Sequence, residues 1–330
     1  MSDGTKQTKL GKTGPEVFPI SLGCMGMSGM YGTAADDEGI ATIHAAIERG
    51  VTLLDTGDFY GMGHNEALVR RAIEGRRDKV QLSVKFGALR GPDGSWLGFD
   101  ARPAAVKTFA AYSLQRLGVE VIDVYRPARL DPNVPIEETV GAIADLVRQG
   151  YVRHIGLSEV GAETVRRAHT VHPIVDLQIE YSLASRRPES TIFPTLNELG
   201  ISATLYSVLG RGLLSGKRPA GPKDFRAYLP RFTGEDGAKN QAMVERLAGF
   251  AESTGRTPAQ VCVAWALAKQ PGFVPVVGAR RPAQLLDVLG ALDRPLAAAE
   301  VEELEKNFPS EAFAGPRYQA AQMAHLDSER

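Results

Sequence analysis

The run Leu53–Glu66, LLDTGDFYGMGHNE, puts Asp55 directly after two leucines and Tyr60 a short turn later. A second apolar run, Val80-Gln81-Leu82-Ser83-Val84, ends in Lys85. Asp55 and Lys85 each close a short β-like run, so both are delivered to the same ends of two early strands. A free phenol has a pKa of about 10 and gives up its proton reluctantly at pH 7. An adjacent ammonium stabilises the phenolate and lowers that value. A carboxylate can in turn fix the ammonium. The three groups read as a general acid with its tuning pair, suited to proton-coupled carbonyl chemistry. The alternative is a structural ion pair beside a surface tyrosine, because ion pairs also perturb pKa values without function.

The elements that must position these groups alternate along the chain. Strands are predicted at Val17–Leu22, Val51–Leu54, Val80–Val84, Val121–Tyr125, Val152–Leu157, Val175–Ile179, Ser202–Tyr206 and Gly272–Val276. Helices are predicted at Asp37–Arg49, Glu66–Ile73, Pro103–Leu117, Ile136–Gln149, Ala162–His169, Ser190–Glu198, Lys239–Thr254 with Pro258–Ala268, and Pro282–Leu289. Pro103, Pro258 and Pro282 suit a first helical turn. Eight strands alternating with eight helical units in 330 residues predict an α/β fold, a (β/α)8 barrel forming a single domain over residues 1–330. A doubly wound sheet is the runner-up, but the early Gly23–Gly26 run lacks its glycine spacing. A short N-terminal β-hairpin is expected, and a long loop, Leu209–Asn240, after the seventh strand. Loops of that length tend to be lids or binding loops. The tail after Phe308 is polar with scattered aromatics, and the sequence leaves open whether it docks or frays.

The 38 basic and 39 acidic residues nearly balance. That gives no reason to expect nucleic acid or an anionic membrane as a partner. Cys24 and Cys262 lie far apart, against a disulfide scaffold or a metal site. The stretch MSDGTKQTKLGKTG lacks an apolar h-region, so a signal peptide is not expected. A cytoplasmic protein, monomeric or weakly homo-oligomeric, is the expectation.

With Asp55-Thr56-Gly57-Asp58-Phe59-Tyr60-Gly61 in hand, further ordered motifs stand out. They are Leu10-Gly11-Lys12-Thr13-Gly14, Leu22-Gly23-Cys24-Met25-Gly26, Ile155-Gly156-Leu157-Ser158-Glu159, Gln178-Ile179-Glu180-Tyr181-Ser182, Leu209–Gly216 (LGRGLLSG) and Val274-Pro275-Val276-Val277-Gly278. Together they resemble the aldo-keto reductase superfamily over nearly the whole chain. The resemblance implies a TIM barrel that binds NADPH/NADP+ in an extended pose and reduces a small-molecule aldehyde or ketone. Hydride comes from the nicotinamide and the proton from the tyrosine, here Tyr60.

The resemblance also implies a cofactor site. Gly23, Cys24 and Met25 fall on its first loop. Ser158 and Gln178 match residues that hydrogen-bond the nicotinamide carboxamide. Glu159 stands where the family often has Asn. Tyr206 matches the aromatic that stacks on the nicotinamide, with ordinary barrel packing as the alternative. Ser207, Leu209, Gly210, Arg211, Gly212 and Leu213 match the pyrophosphate loop, where glycines let backbone N–H groups approach phosphates. Ser215 and Lys217 extend that loop, or Lys217 is a solvated charge. Gly278, Arg280, Arg281, Gln284 and Asp287 match the adenosine-phosphate site. An arginine pair at a helix N-terminus is oddly placed for helix stability, but it suits a 2′-phosphate. Val288 stands where many relatives read adenine with Asn.

One departure matters. The family completes a tetrad with a histidine in a segment like Tyr-x-x-His-Arg-x-Asp-Pro, but here it reads Tyr125-Arg126-Pro127-Ala128-Arg129-Leu130-Asp131-Pro132. Ala128 takes the histidine's place. Losing one donor to an oxyanion costs about 2.7–4 kcal/mol. His64 is the only histidine placed by sequence to substitute. Arg126 is the other cation considered, and a salt bridge inside the barrel mouth is the preferred reading of it. Ala128 would leave room for a water or a bulkier ketone. The expected substrate pocket comprises Met27, Tyr31, Phe59, Phe86, Trp96 and Ala128, with the Phe225–Phe232 loop. The competing readings are an NADPH-binding sensor resembling potassium-channel β subunits, and an aldolase with Lys85 as a Schiff base.

Overall fold

A computed structural model describes residues 7–32, 34–222 and 224–330; the N-terminal stretch read for a leader falls partly outside them. In chain order the strands are β1 (Thr8–Lys9), β2 (Glu16–Val17), β3 (Ser21–Gly23), β4 (Leu53–Gly57), β5 (Gln81–Phe86), β6 (Ala88–Arg90), β7 (Trp96–Phe99), β8 (Ile122–Pro127), β9 (Val152–Ser158), β10 (Ile174–Glu180), β11 (Ser202–Tyr206) and β12 (Val274–Gly278). The helices are α1 (Asp36–Glu48), α2 (His64–Ile73), α3 (Pro103–Leu117), α4 (Ile136–Arg148), α5 (Ala162–Val171), α6 (Pro188–Thr191), α7 (Phe193–Leu199), α8 (Gly234–Ser253), α9 (Pro258–Lys269), α10 (Pro282–Leu289), α11 (Ala298–Asn307) and α12 (Ala320–Met323). Eight parallel strands close in the order β10-β11-β12-β3-β4-β5-β8-β9. This is the (β/α)8 barrel expected, with the β1–β2 hairpin before it.

The hairpin closes the barrel's N-terminal end. Leu10 and Val17 join Leu53, Val124, Val175 and Val274 in an apolar cluster separate from the main core. The main core lies between strands and helices. Side chains along a strand alternate between faces, and here that alternation divides chemistry from packing. On β5, Ser83 and Lys85 point into the barrel, while Leu82, Val84 and Phe86 belong to the core cluster. Phe86 stacks on Tyr125 with ring centroids 4.3 Å apart.

The predicted strand Val17–Leu22 is two strands: Val17 ends the hairpin, and the barrel strand starts at Ser21 beyond Pro19. Pro19 lacks the N–H needed to continue a ladder. The predicted helix Ser190–Glu198 likewise divides into α6 and α7, with Pro194 in the first turn of the second. The long loop after β11 holds three short helical turns before α8 begins at Gly234. The β6–β7 hairpin and α11 had no counterpart in the sequence reading. α9 opens with a capping box in which Thr257 and Gln260 each accept the other's backbone N–H.

The barrel's middle layer is charged. Arg126 donates to Asp176 Oδ2 at 2.8 Å, to Thr204 Oγ1 at 3.2 Å and to Ser83 Oγ at 3.0 Å. Both members of the Arg126–Asp176 pair are fully buried. Breaking such a pair by removing one partner costs about 3–5 kcal/mol, because the other charge is left uncompensated. Asp176→Ala is therefore expected to lose stability on that scale. A double replacement by Arg126→Met and Asp176→Leu should lose markedly less. Denaturant midpoints of the three proteins check this, and equal losses in single and double variants would refute it.

Candidate active site

The site grows from the register of two strands. Gly57 lies beside Lys85 and Asp55 beside Ser83, which puts both ionisable groups at the C-terminal mouth. Lys85 Nζ bonds Asp55 Oδ1. Asp55 Oδ2 accepts from Ser83 Oγ at 3.0 Å and from Gln178 Nε2 at 2.7 Å. The carboxylate is thus held from three sides. Tyr60 opens the next turn, where Gly61, Met62 and Gly63 all take positive φ (56°, 54° and 92°). That left-handed turn folds the phenol ring back over the barrel, and Lys85 Nζ lies 5.4 Å from its centroid. Asp55, Tyr60 and Lys85 are therefore brought together, and all three are buried.

The electrostatics differ from the simple expectation that lysine lowers the phenol's pKa. Burial pushes the Tyr60 phenol well above its ordinary value, the Asp55 carboxylate adds to that, and Arg129 pulls the other way. Burial also lowers Lys85, against the raising effect of Asp55. Tyr60 thus holds its proton firmly until something accepts it.

The other predicted residues divide. Ser158 and Gln178 are adjacent across β9 and β10 and both face the mouth. The Gln178 amide N–H₂ is engaged by Asp55. Tyr206 reaches the mouth and its hydroxyl lies 3.2 Å from that of Tyr318 on the C-terminal tail. Glu159 has φ 55°. Its carboxylate turns to Arg317 at 2.6 Å, to Ser328 Oγ at 2.6 Å and to the Glu180 backbone N–H at 2.9 Å. The Arg211 side chain likewise leaves the loop for Glu180 at 2.6 Å, so its backbone is the part left facing the loop. Non-glycine positive φ values among the described residues fall at Met62, Glu159, Ser207 and Arg211, all in connections leaving the strands' C-terminal ends. Strain concentrated there is what a binding site produces.

The turn Gly210–Ser215 is narrow. A Cβ at Gly212 (φ 93°) would meet Arg226 Nη1 and Lys217 Cβ at 3.0 Å. Leu209 O accepts from Gly212 N at 2.9 Å, Ser207 O from Gly210 N at 2.7 Å, and Ser215 Oγ donates to Gly212 O. Leu213 is buried and Lys217 exposed. Gly23 pairs with Asp55 and Gly278, and Cys24 N donates to Asp55 O, so this loop abuts the site through its backbone. Met25 is half-buried beside it. Arg280 donates to Tyr31 O at 3.0 Å, and Gln284 Oε1 accepts from Arg280 N. Arg281, exposed, pairs with Glu38 at 3.1 Å. Asp287 Oδ1 is taken by Thr257 and Gln260 of α9.

Three expectations are corrected. Phe86 does not line the pocket, because its strand face points to α3. Met27 is buried against α1 and α2 in the core, and does not reach the mouth. His64 does not replace the missing histidine: its nitrogens face Ser28 Oγ (2.9 Å) and Asp36 (3.0 Å), and it is half exposed. Arg126 is the internal salt bridge already described, in agreement with the preferred sequence reading. Tyr31, Phe59 and Ala128 do remain at the mouth. Tyr31 lies 6.0 Å from Phe225, Phe59 sits edge-on to Tyr60, and Ala128 is buried beside Phe86 O. Trp96 is half exposed on the β6–β7 hairpin, under Arg90.

Sequence reasoning missed Arg129, Arg317 and Tyr318. Arg317 binds Glu159, Glu180 and Glu329, and Asp327 accepts from Gly161 N and Thr164 Oγ1 at the start of α5. The tail therefore docks across the mouth. No helix among the described residues is long and apolar enough to cross a membrane.

A model of the "Aldo/keto reductase family" matches residues 19–307. A curated relative, "Probable aldo-keto reductase 1" of Glycine max, is 41% identical over 317 residues, covering 94% of this chain and 91% of that one. Among solved structures, a glycerol dehydrogenase from Gluconobacter oxydans is 26% identical with a TM-score of 0.83, covering 94% of this chain and 98% of that one. The holo form of an aldo-keto reductase from Bacillus halodurans is 27% identical with a TM-score of 0.78, covering 96% and 99%.

Asp58, next to Tyr60, carries a pH consequence. Burial first, then the Glu66 carboxylate, push its pKa up to about 7, while the Gly87 N–H and Arg116 oppose the rise. Asp58 Oδ1 and Glu66 Oε1 have no protein partner among the described residues. A carboxyl whose folded pKa exceeds its unfolded value binds more protons when folded, so its contribution to stability falls as pH rises between the two values. Asp58→Asn removes that penalty. Its melting temperature relative to the parent should rise from pH 4 to 7 and level off above, and a pH-independent difference would refute the assignment.

Proposed function

The chain belongs to the aldo/keto reductase family, whose members carry out oxidoreduction of carbonyls, and on that premise we propose that it reduces an aldehyde or ketone with NADPH, Tyr60 giving the proton. One observation carries this reading: the Lys85–Asp55 pair, fixed from three sides, lies under the ring of a buried tyrosine at the barrel mouth.

The residues fit a phosphorylated dinucleotide. Ser158 with the Gln178 carboxamide oxygen would hold the nicotinamide amide, and Tyr206 would stack on the ring. Backbone N–H groups of the narrow 210–215 turn would meet the pyrophosphate. Arg280 and Arg281, at the start of α10, would meet a 2′-phosphate. When bound, the nicotinamide supplies the hydride. The chain's own residues manage the proton. Tyr60 donates from its hydroxyl to the carbonyl oxygen as negative charge grows there. The phenolate left behind is stabilised by the Lys85 ammonium, which Asp55 holds in place. Burial keeps the phenol protonated beforehand, so the donor is loaded at neutral pH.

The mouth is lined by Tyr31, Phe59, Ala128, Tyr206 and Tyr318, an apolar and aromatic rim suited to a ketone larger than a simple aldehyde. The glycerol dehydrogenase likeness makes the reverse reaction, alcohol oxidation with NADP+, part of the same proposal.

The test is NADPH consumption, followed by absorbance, against a panel of aldehydes and ketones. Tyr60→Phe should lose about 10²–10⁴-fold in turnover while still quenching in NADPH binding by fluorescence. Near-parental turnover in that variant would overturn the role of Tyr60. Tight NADPH binding by the parent without any turnover would favour a sensor. Arg281→Ala should raise KM for NADPH roughly tenfold or more, the value of a charge-assisted hydrogen bond, and leave KM for NADH unchanged. An equal change in both would remove the 2′-phosphate assignment.

A further inference from the structure

We propose that Arg129 replaces the absent histidine as the donor to the carbonyl oxygen; this rests on the carbonyl-reductase reading above. Ala128 N donates to Phe86 O, one residue beyond Lys85, so the chain after β8 leaves the barrel beside the lysine. From there the Arg129 side chain crosses the mouth. Its Nη1 lies 2.6 Å from Ala128 O and 3.5 Å from Ser158 Oγ, and its Nη2 lies 3.3 Å from Tyr318 OH. Tyr318 OH in turn meets Tyr206 OH at 3.2 Å, and Arg211 stacks 4.4 Å over the Tyr318 ring. The guanidinium is therefore held between β8, β9 and the tail, in the opening above the Lys85–Asp55 pair.

Its charge balance sets it apart. Arg126 pairs with Asp176, Arg211 with Glu180, Arg317 with Glu159, and Lys85 with Asp55. Among the described residues Arg129 alone of these cations makes no ion pair with a carboxylate. The carboxylate that acts on it through space, Glu159, is already paired with Arg317, so negative charge developing beside the guanidinium meets a cation with no direct partner. Both Tyr60 and Lys85 feel this charge. A guanidinium has five N–H donors, and the three bonds above leave others for an oxygen.

The chemical step balances without a new reactant. As hydride adds to the carbonyl carbon, the C=O π pair moves to oxygen. Tyr60 transfers its proton to that oxygen, its O–H bond breaking and a new one forming. Arg129 donates a hydrogen bond to the same oxygen and transfers no proton. Arginine stays protonated throughout the working range, so this donor does not switch off with pH as an imidazole would.

The test uses the full chain and a ketone that the parent protein turns over. Arg129→Gln should lower kcat by about 10²–10³-fold, the effect of removing one oxyanion donor, with melting temperature and NADPH binding retained. Guanidinium salt added to Arg129→Ala should restore part of the lost rate, and an equal concentration of sodium chloride should not. The double variant Ala128→His with Arg129→Gln should also recover activity and gain a pH limb near 6.5 that the parent lacks. Parental turnover in Arg129→Gln overturns the proposal. So does a loss that neither guanidinium nor the new histidine relieves, which would leave Arg129 a tie for the tail. If Arg129→Gln fails to fold, Arg129→Lys decides: parental turnover there overturns the need for a guanidinium fork, and a guanidinium-rescued deficit supports it. A parent protein that reduces no carbonyl refutes the functional reading itself, a result distinct from any of these.

Discussion

Charge buried inside the barrel is the constraint on which the site depends. Two ion pairs sit one above the other, Arg126–Asp176 in the middle layer and Lys85–Asp55 at the mouth. They are joined by shared hydrogen bonds: Ser83 Oγ accepts from Arg126 and donates to Asp55, and Thr204 Oγ1 donates to Asp176 and accepts from Gln178. Attraction at low dielectric offsets the desolvation of such groups only if the geometry is good and the remaining lone pairs are satisfied. The register of five strands supplies most of that geometry, leaving Arg126 Nε and Asp176 Oδ1 without a protein partner among the described residues. Lys85 is consequently pinned before any substrate arrives, and the tyrosine above it meets a cation that does not need to move.

A second charged layer covers the first. Glu159, Glu180, Arg211 and Arg317 form a buried cluster between β9, β10, the long loop and the tail. Arg317 holds Glu159 far below the usual carboxylate range, so this cluster is charged at every working pH. It ties the long loop and the tail to the strand ends, as Arg126–Asp176 ties β8 to β10 inside the barrel. The rim aromatics Tyr206 and Tyr318 take their positions from it. Loops that carry function are most precise when anchored this way to regular elements.

The barrel was legible because its strands are short apolar runs with turn residues between them, and because period-2 alternation survives in Ser83-Val84-Lys85. The cluster of Asp55, Tyr60 and Lys85 was legible for the same reason. Phe86 was misplaced by neglecting that same parity, since the residue after an inward lysine must point outward. The direction of the Glu159 side chain was not legible, because its positive φ redirects the carboxylate and sequence carries no sign of that. Its partner Arg317 lies 158 positions away, beyond any local pattern. The tail therefore read as a polar end, though its charges are complementary to the rim. Val17–Leu22 was over-extended because Pro19 was not treated as a break.

The search for a substitute histidine failed at the sequence level for a geometrical reason. Local pattern offers only another imidazole or a cation on the strand face of Ala128, and Arg126 fits that pattern while being sealed beneath the site. A long side chain does not need to start from the lost residue's face. Arg129 begins on the opposite parity, but the strand has ended, and its stem carries the guanidinium back over the opening. The guanidinium bonds Ala128 O and Tyr318 OH, so its reach across the mouth is set by the backbone after β8 and by the tail. What the stem delivers to the rim is a cation that is planar, permanently charged and held by its neighbours' hydroxyl groups.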